Sequence, residues 1–282
     1  MNRLIYASLI IFNFFHLESQ SQDIIDKKLT SLSRSTCVKI ASTNRSLGSG
    51  FFIKDDLIVT CFHVIAQIQI SDGKVEYRIY DDLVAIDEIG NLTYLECISI
   101  PTDKSPEPFI SDFAVLKLKS KVDKKQVLKL SSEQIEVSDM IIFSGYPFGL
   151  PTLITHTGNV SGLVKDSLIY VQAPVNNGDS GSALLNKNGD VIGIITFKQA
   201  GIGQALEKQL QDLTLLQQNL GKGGLQLGVI QSVDGTTSTG FDPIDFAKET
   251  ISTLQQNLET GIGGARHVRF LKDYLKRNNI KL

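Results

Sequence analysis

The stretch Asn177-Gly178-Asp179-Ser180-Gly181-Ser182 decides how the rest of the chain is read. A serine hydroxyl is a weak nucleophile at its own pKa and needs an adjacent base. It also needs backbone N–H groups aimed at the oxyanion that develops during attack. Gly178 lets the turn fold so that the N–H groups of Gly178 and Ser180 point into one site, with Asp179 as a further candidate donor. Gly181 is expected to let a substrate backbone pass closely. Downstream stand a short strand, Ala183-Leu184-Leu185, a turn at Asn188-Gly189, and a second strand, Val191 to Phe197. A strand–serine–helix elbow of the G-x-S-x-G type fails here. Ser182 occupies the last glycine position, a hairpin follows the serine, and the candidate partners precede it.

Those partners are few. The chain has 4 histidines. His16 lies in an N-terminal apolar segment, and His156 and His267 have no strong local context. His63 follows the apolar run Leu57 to Cys61 and precedes Val64-Ile65-Ala66, so it can face a cleft while its neighbours fill a core. A carboxylate that orients such a histidine must be buried beside it. Asp112 stands at the mouth of the alternating strand Phe113 to Leu118, whereas Asp103 is in a Pro-rich loop.

From Cys37 to Phe197 short apolar runs alternate with turn residues. Among the runs are Cys37–Ile40, Gly50–Ile53, Leu57–Thr60, Val75–Tyr80, Leu92–Ile100, Met140–Gly145 and Leu168–Val171. Turn signals include Lys54-Asp55-Asp56, Ile89-Gly90-Asn91 and Asn188-Gly189-Asp190. This pattern predicts an all-β barrel or sandwich. No ten-residue helical pattern interrupts it, which argues against a parallel α/β sheet. After Phe197 the period changes. Leu206, Leu210, Leu213 and Leu220 recur at helical spacing, as do Ile244, Ala247, Ile251, Leu254 and Leu258, with Asp242 and Pro243 as a helix start. Leu-Gln-Gln-Asn-Leu occurs in both segments, a small duplication or a coincidence of two Gln-rich amphipathic helices. Gly223 to Val233 reads as a strand or hairpin, and a final helix is expected from about His267 to Lys276.

Taken in order, the segments resemble the trypsin-like peptidases. Gly48-Ser49-Gly50-Phe51-Phe52-Ile53 and Ile58-Val59-Thr60-Cys61-Phe62-His63-Val64 resemble their histidine segment, and Ser111 to Leu118 their aspartate segment. Gly145-Tyr146-Pro147-Phe148-Gly149 and Thr157-Gly158-Asn159-Val160-Ser161-Gly162 resemble the HtrA/Deg branch, and the likeness resumes at Gly261-Ile262-Gly263. The chain order His, Asp, Ser is that of chymotrypsin-type barrels. The resemblance implies an all-β, chymotrypsin-like double six-stranded barrel, spanning 30–200 and 260–282, with a helical insertion at 203–258 and a C-terminal helix. It implies a serine endopeptidase with His63, Asp112 and Ser180 as triad and Gly178, Asp179 and Ser180 around the oxyanion. Alternatives are a catalytically silent binding module on the same fold, or an esterase.

Two departures stand out. The PDZ domains of HtrA proteases find no room here, and Asp179 replaces the usual Asn before the serine. No Ile-Val-Gly-Gly-like start offers Asp179 a new N-terminus, so an internal cation or backbone donors are expected instead. Val175, Ile195, Thr196 and Phe197 are expected to line the substrate pocket. None is acidic, which argues against Lys or Arg and for a small or medium apolar side chain. The insertion could restrict the cleft, dock a partner, mediate self-association or pack as a lid.

Arg3 followed by the apolar run Leu4 to Phe15, with small residues at Ser19 and Ser21, reads as a signal peptide over 1–21. Twelve residues fall short of the roughly 20 that span a bilayer. An uncleaved anchor or a buried strand is the competing reading. The expected location is secreted or periplasmic, with no membrane association after cleavage. A net charge of −2 with mixed signs argues against a nucleic-acid partner or a membrane-surface patch. Three cysteines cannot all pair within the chain, though Cys37 with Cys97 could. No metal or organic cofactor is implied, and activity should fall below about pH 6.5, where an ordinary histidine protonates.

Overall fold

The computed structural model describes residues 27–42, 45–71, 74–101, 111–120, 125–164, 167–198, 203–220, 243–257 and 261–282. The expected signal peptide, Asp103, Asp242 and the expected strand from Gly223 to Val233 lie outside them. A helix over 27–36 (α1) comes first. The first barrel is built from β1 (Cys37–Ser42), β2 (Arg45–Lys54), β3 (Leu57–Thr60), β6 (Val84–Ile86), β7 (Leu92–Ser99) and β8 (Ala114–Leu118). It closes in the order β1-β2-β3-β8-β7-β6. A one-turn helix, α2 (Phe62–Ile65), and the ribbon β4 (Ala66–Ser71) with β5 (Lys74–Ile79) leave it between β3 and β6.

The second barrel contains β9 (Met140–Gly145), β10 (Ile154–Val164), β11 (Leu168–Gln172), β12 (Ala183–Leu185), β13 (Val191–Lys198) and β14 (Ile262–His267). It closes as β10-β11-β14-β13-β12-β9. Its last strand comes from the far end of the chain, after residues 198–260, so the fold needs the C-terminal segment for closure. Closure removes the unpaired edges that an open six-stranded sheet would expose.

Two cores fill the barrels. Phe51, Ile58, Phe113, Leu116 and Leu95 are among the buried side chains of the first, and Ile141, Phe143, Ile169, Leu184 and Ile195 among those of the second. Each such side chain contributes roughly 1.5–3 kcal/mol of transfer free energy when fully buried. The terminal helix α5 (Val268–Arg277) returns to the first barrel. Val268, Leu271, Tyr274 and Leu275 join its core, and the Tyr274 ring meets Phe113 edge-on at 5.2 Å. The His267 side chain caps this helix by accepting from the Arg269 N–H at 3.1 Å. The spacing of its apolar residues is 3, 3 and 1, which places one stripe inward and leaves Lys276 and Arg277 outside, beside the negative end of the helix.

Residues Lys198–Thr260 form a compact unit of their own. It holds α3 (Gly203–Leu220) and α4 (Pro243–Asn257), tied where Gln217 donates to Asp245 at 2.7 Å and accepts from Lys248 at 3.1 Å. Among the described residues no helix is long and apolar enough to cross a membrane. All three cysteines are free thiols, so Cys37 and Cys97 are not bridged.

Candidate active site

His63 enters the site because its neighbours leave it. β3 ends at Thr60, the chain turns at Cys61, and α2 buries Val64 and Ile65 in the first core. The imidazole, on the opposite side of that turn, keeps 34% of its side-chain surface exposed. Asp112 stands just before β8, where Phe113 is buried, and only 5% of the Asp112 side chain is exposed. A carboxylate oxygen only accepts, so the geometry sets the histidine tautomer. Nδ1–H donates to Asp112 Oδ2 at 2.7 Å, and the His63 backbone N–H donates to Oδ1 at 3.1 Å. The carboxylate thus grips the ring and the main chain of the same residue, leaving Nε2 as the basic atom.

The loop that carries Ser180 lies between β11 and β12 and is organised largely by backbone hydrogen bonds. Asp179 N–H donates to Asn176 O and Ser182 N–H to Asp179 O, both at 3.0 Å. Gly181 N–H donates to Ile195 O at 2.8 Å, and Ile195 N–H returns to Ser182 O at 2.9 Å. Gly178 has φ +104° and Gly181 φ +91°, the left-handed region that a side chain disfavours. A Cβ on Gly178 would fall inside the Tyr146 carbonyl oxygen, and one on Gly181 inside the Ser49 carbonyl oxygen. The glycine after the serine therefore makes room for β2 of the first barrel.

Ser49 is a residue that sequence reasoning assigned no role. It is fully buried. Its hydroxyl donates to Gly178 O at 2.7 Å and accepts the Tyr146 N–H at 3.0 Å, and its own N–H donates to Ser180 O at 2.9 Å. Thr60 Oγ1 donates to Ser49 O at 2.6 Å. One serine of the first barrel thereby fixes the Ser180 turn of the second. The only trace in the sequence is a small polar residue between two glycines.

The two expected oxyanion donors, Gly178 N–H and Ser180 N–H, engage no backbone acceptor among the described residues. The Asp179 N–H, expected to share that role, is taken by Asn176 O. The Asp179 carboxylate is fully buried and accepts the Asn176 N–H at 2.8 Å, so a backbone donor meets it as anticipated. The Ser180 hydroxyl donates to the Thr196 carbonyl at 3.4 Å. Among the described residues it makes no hydrogen bond to His63.

The expected pocket residues divide. Val175 is 4% exposed and packs closely over Gly263. Ile195 is fully buried in the second core, so it contributes its backbone to the catalytic turn and not its side chain to a pocket wall. Thr196 offers its carbonyl to Ser180 and donates its hydroxyl to Gly264 O at 3.3 Å. The Phe197 side chain lies outside the described ones. Cys61 is fully buried beside the pair and donates to Ile195 O at 3.2 Å. Burial, and after it the Asp112 charge, pushes its thiol well above the ordinary value.

Comparison with known proteins agrees with this architecture. A family model described as a trypsin-like peptidase domain matches residues 48–194. The periplasmic pH-dependent serine endoprotease DegQ of Escherichia coli is 34% identical over 140 residues, 45% of this chain and 30% of that protein. A probable periplasmic DegP-like serine endoprotease of Bartonella henselae is 33% identical over 196 residues, 65% of this chain and 35% of that protein. This chain thus spans about a third of the length of either relative. Among solved structures, the HtrA-type protease AlgW with a decapeptide superposes with a TM-score of 0.54 at 17% identity, covering 88% of this chain and 65% of that one. The double barrel, the segment order and the matched span lead to one assignment: the chain belongs to the family of trypsin-like peptidase domains.

Proposed function

We propose that the chain is a serine endopeptidase that acts outside the cytoplasm through a Ser180–His63–Asp112 triad. The observation that carries this reading is the double grip of Asp112 on His63, with contacts of 2.7 and 3.1 Å from a nearly buried carboxylate. It leaves Nε2 free to take the Ser180 proton and later to deliver it to the leaving amine. Ser180 attacks the peptide carbonyl, and the N–H groups of Gly178 and Ser180 bind the oxyanion. Water then attacks the acyl-enzyme by the same route. The Ser180 hydroxyl must turn from Thr196 to reach His63, and catalytic hydrogen bonds often tighten only when substrate binds.

Export is supported by the signal-like residues 1–21 and by similarity to the periplasmic endoprotease DegQ and the probable periplasmic DegP-like endoprotease. Protein or peptide substrates with a small or medium apolar side chain at the scissile bond fit the absence of an acidic residue at positions 175 and 195–197. The domain division stays as read from the sequence, with 30–200 and 260–282 as the protease domain and 203–258 as an insertion. The silent-module reading has one observation in its favour, the Ser180 hydroxyl turned toward Thr196.

A peptide pool and a set of simple esters, each incubated with wild type and Ser180→Ala, separate these readings. Peptide cleavage that vanishes in Ser180→Ala supports the endopeptidase. Ester hydrolysis alone supports an esterase. No turnover by a cooperatively folded wild type supports the silent module.

A further inference from the structure

The triad has a neighbour that acyl transfer does not use. Cys61 Sγ, a ring nitrogen of His63 and a carboxylate oxygen of Asp112 all lie within 4.8 Å of one another. We propose that Cys61, His63 and Asp112 form an inhibitory site for a thiophilic divalent cation, Zn2+ above all. Thiolate, imidazole and carboxylate are each ordinary zinc ligands, and three protein ligands with an open fourth position are a stable arrangement for this ion.

The spacings among the three ligand atoms, up to 4.8 Å, must adjust to admit the ion. Zinc bonds of about 2.0–2.3 Å set neighbouring ligand atoms roughly 3.3–3.7 Å apart in a tetrahedron. His63 Nδ1 and Asp112 Oδ2, at 2.7 Å, must therefore part by somewhat less than the width of an atom. His63 is the group that can move, because it is 34% exposed on a one-turn helix, whereas Asp112 and Cys61 are held in the first core.

The proton balance gives the inhibition. A bound dication deprotonates a coordinating thiol outright, so Cys61 releases one proton to solvent. The proton on Nδ1 moves to Nε2 by tautomerisation, freeing the Nδ1 lone pair for the metal. Nε2 then carries hydrogen and cannot take the Ser180 proton. The ion is an inhibitor, not a cofactor, and a chelator reverses its effect. Inhibition rests on the role proposed for His63, but the ion site itself does not.

Ser180→Ala keeps all three ligands and removes turnover, so binding is measured on that protein. Competition against a chromophoric chelator should show one Zn2+ per chain, and Co2+ should give a thiolate-to-cobalt charge-transfer band. Adding Cys61→Ser, or Cys61→Ala as a second variant, should abolish the band. Either should weaken Zn2+ by more than the roughly 10–100-fold that loss of an outer-shell partner costs. Cys97→Ser should change neither. In the active protein Zn2+ should suppress hydrolysis until chelator is added, and Cys61→Ser should shift that inhibition by the same factor relative to its own uninhibited rate. No stoichiometric binding, or equal affinity with and without Cys61 in proteins that melt cooperatively, overturns the site. Binding through Cys61 in a chain that hydrolyses nothing overturns the peptidase reading, and the inhibitory role with it, but upholds the ion site.

Discussion

The two barrels share a topology and differ in what they bring to the cleft. The first supplies polar side chains, with His63 joined by two hydrogen bonds to an Asp112 carboxylate that is only 5% exposed. The second supplies backbone, a turn around Ser180 whose shape depends on two left-handed glycines and on bonds to Asn176, Ile195 and Ser49. The first half is therefore sensitive to charge and tautomer. The second is sensitive to volume at positions that have no side chain. Ser49 belongs to the first barrel by chain and to the second by function, and is one physical link between them.

Changes in the first half should show the largest effects. Asp112→Asn keeps the shape but presents an amide where Nδ1–H needs an acceptor, so kcat should fall by about 10⁴ with KM little changed. Steady-state hydrolysis checks this, and a loss below tenfold would break the assignment of Asp112. In the second half, Gly178→Ala should cost roughly 10²–10³ in kcat by displacing a proposed oxyanion donor. It should also lower the melting temperature, because the new methyl meets the Tyr146 carbonyl.

Ser49→Ala sharpens the comparison by cutting the link alone. It leaves the Tyr146 N–H and Gly178 O without their buried partner, a cost of about 1–3 kcal/mol in stability by denaturant titration. Its kcat should fall with the pH dependence on His63 unaltered, since the first half is untouched. The smallest effect lies far from the cleft. Burial alone would raise the Asp87 carboxyl, but hydrogen bonds from Asn91 and the charge of Lys125 outweigh it and hold it below the ordinary value. A lowered pKa stabilises the fold above the unfolded value and loses that contribution as pH falls through the folded one. Asp87→Asn should thus cost about 0.2–1 kcal/mol at pH 7, with the difference from wild type vanishing in acid. Thermal melts across that range check it.

How far this was legible in the sequence varied with the source of each element's stability. Leu57–Thr60 and Met140–Gly145 were read at their observed bounds because apolar runs are flanked by turn residues. β6 escaped notice since three residues carry no period. α1 escaped because Leu-Thr-Ser-Leu-Ser-Arg-Ser-Thr has poor helix propensity. Tertiary contacts hold it instead, with Leu29 in the first core, Ser33 bonded to Ser144 at 2.8 Å, and Arg34 reaching Leu153 O at 3.0 Å and Glu88. In the site, residue types and chain order pointed to His63, Asp112 and Ser180. The reach of Ser49 across 129 residues to Gly178 and the inward turn of Ile195 exist only once both barrels close.

The most direct test of an activated serine is reaction of the folded protein with a fluorophosphonate, followed by mass mapping of the adduct. The account predicts one adduct, on Ser180 and not on Ser182, lost in Ser180→Ala and slowed about as much as catalysis in Asp112→Asn. A protein that melts cooperatively yet carries no adduct on Ser180 would contradict it.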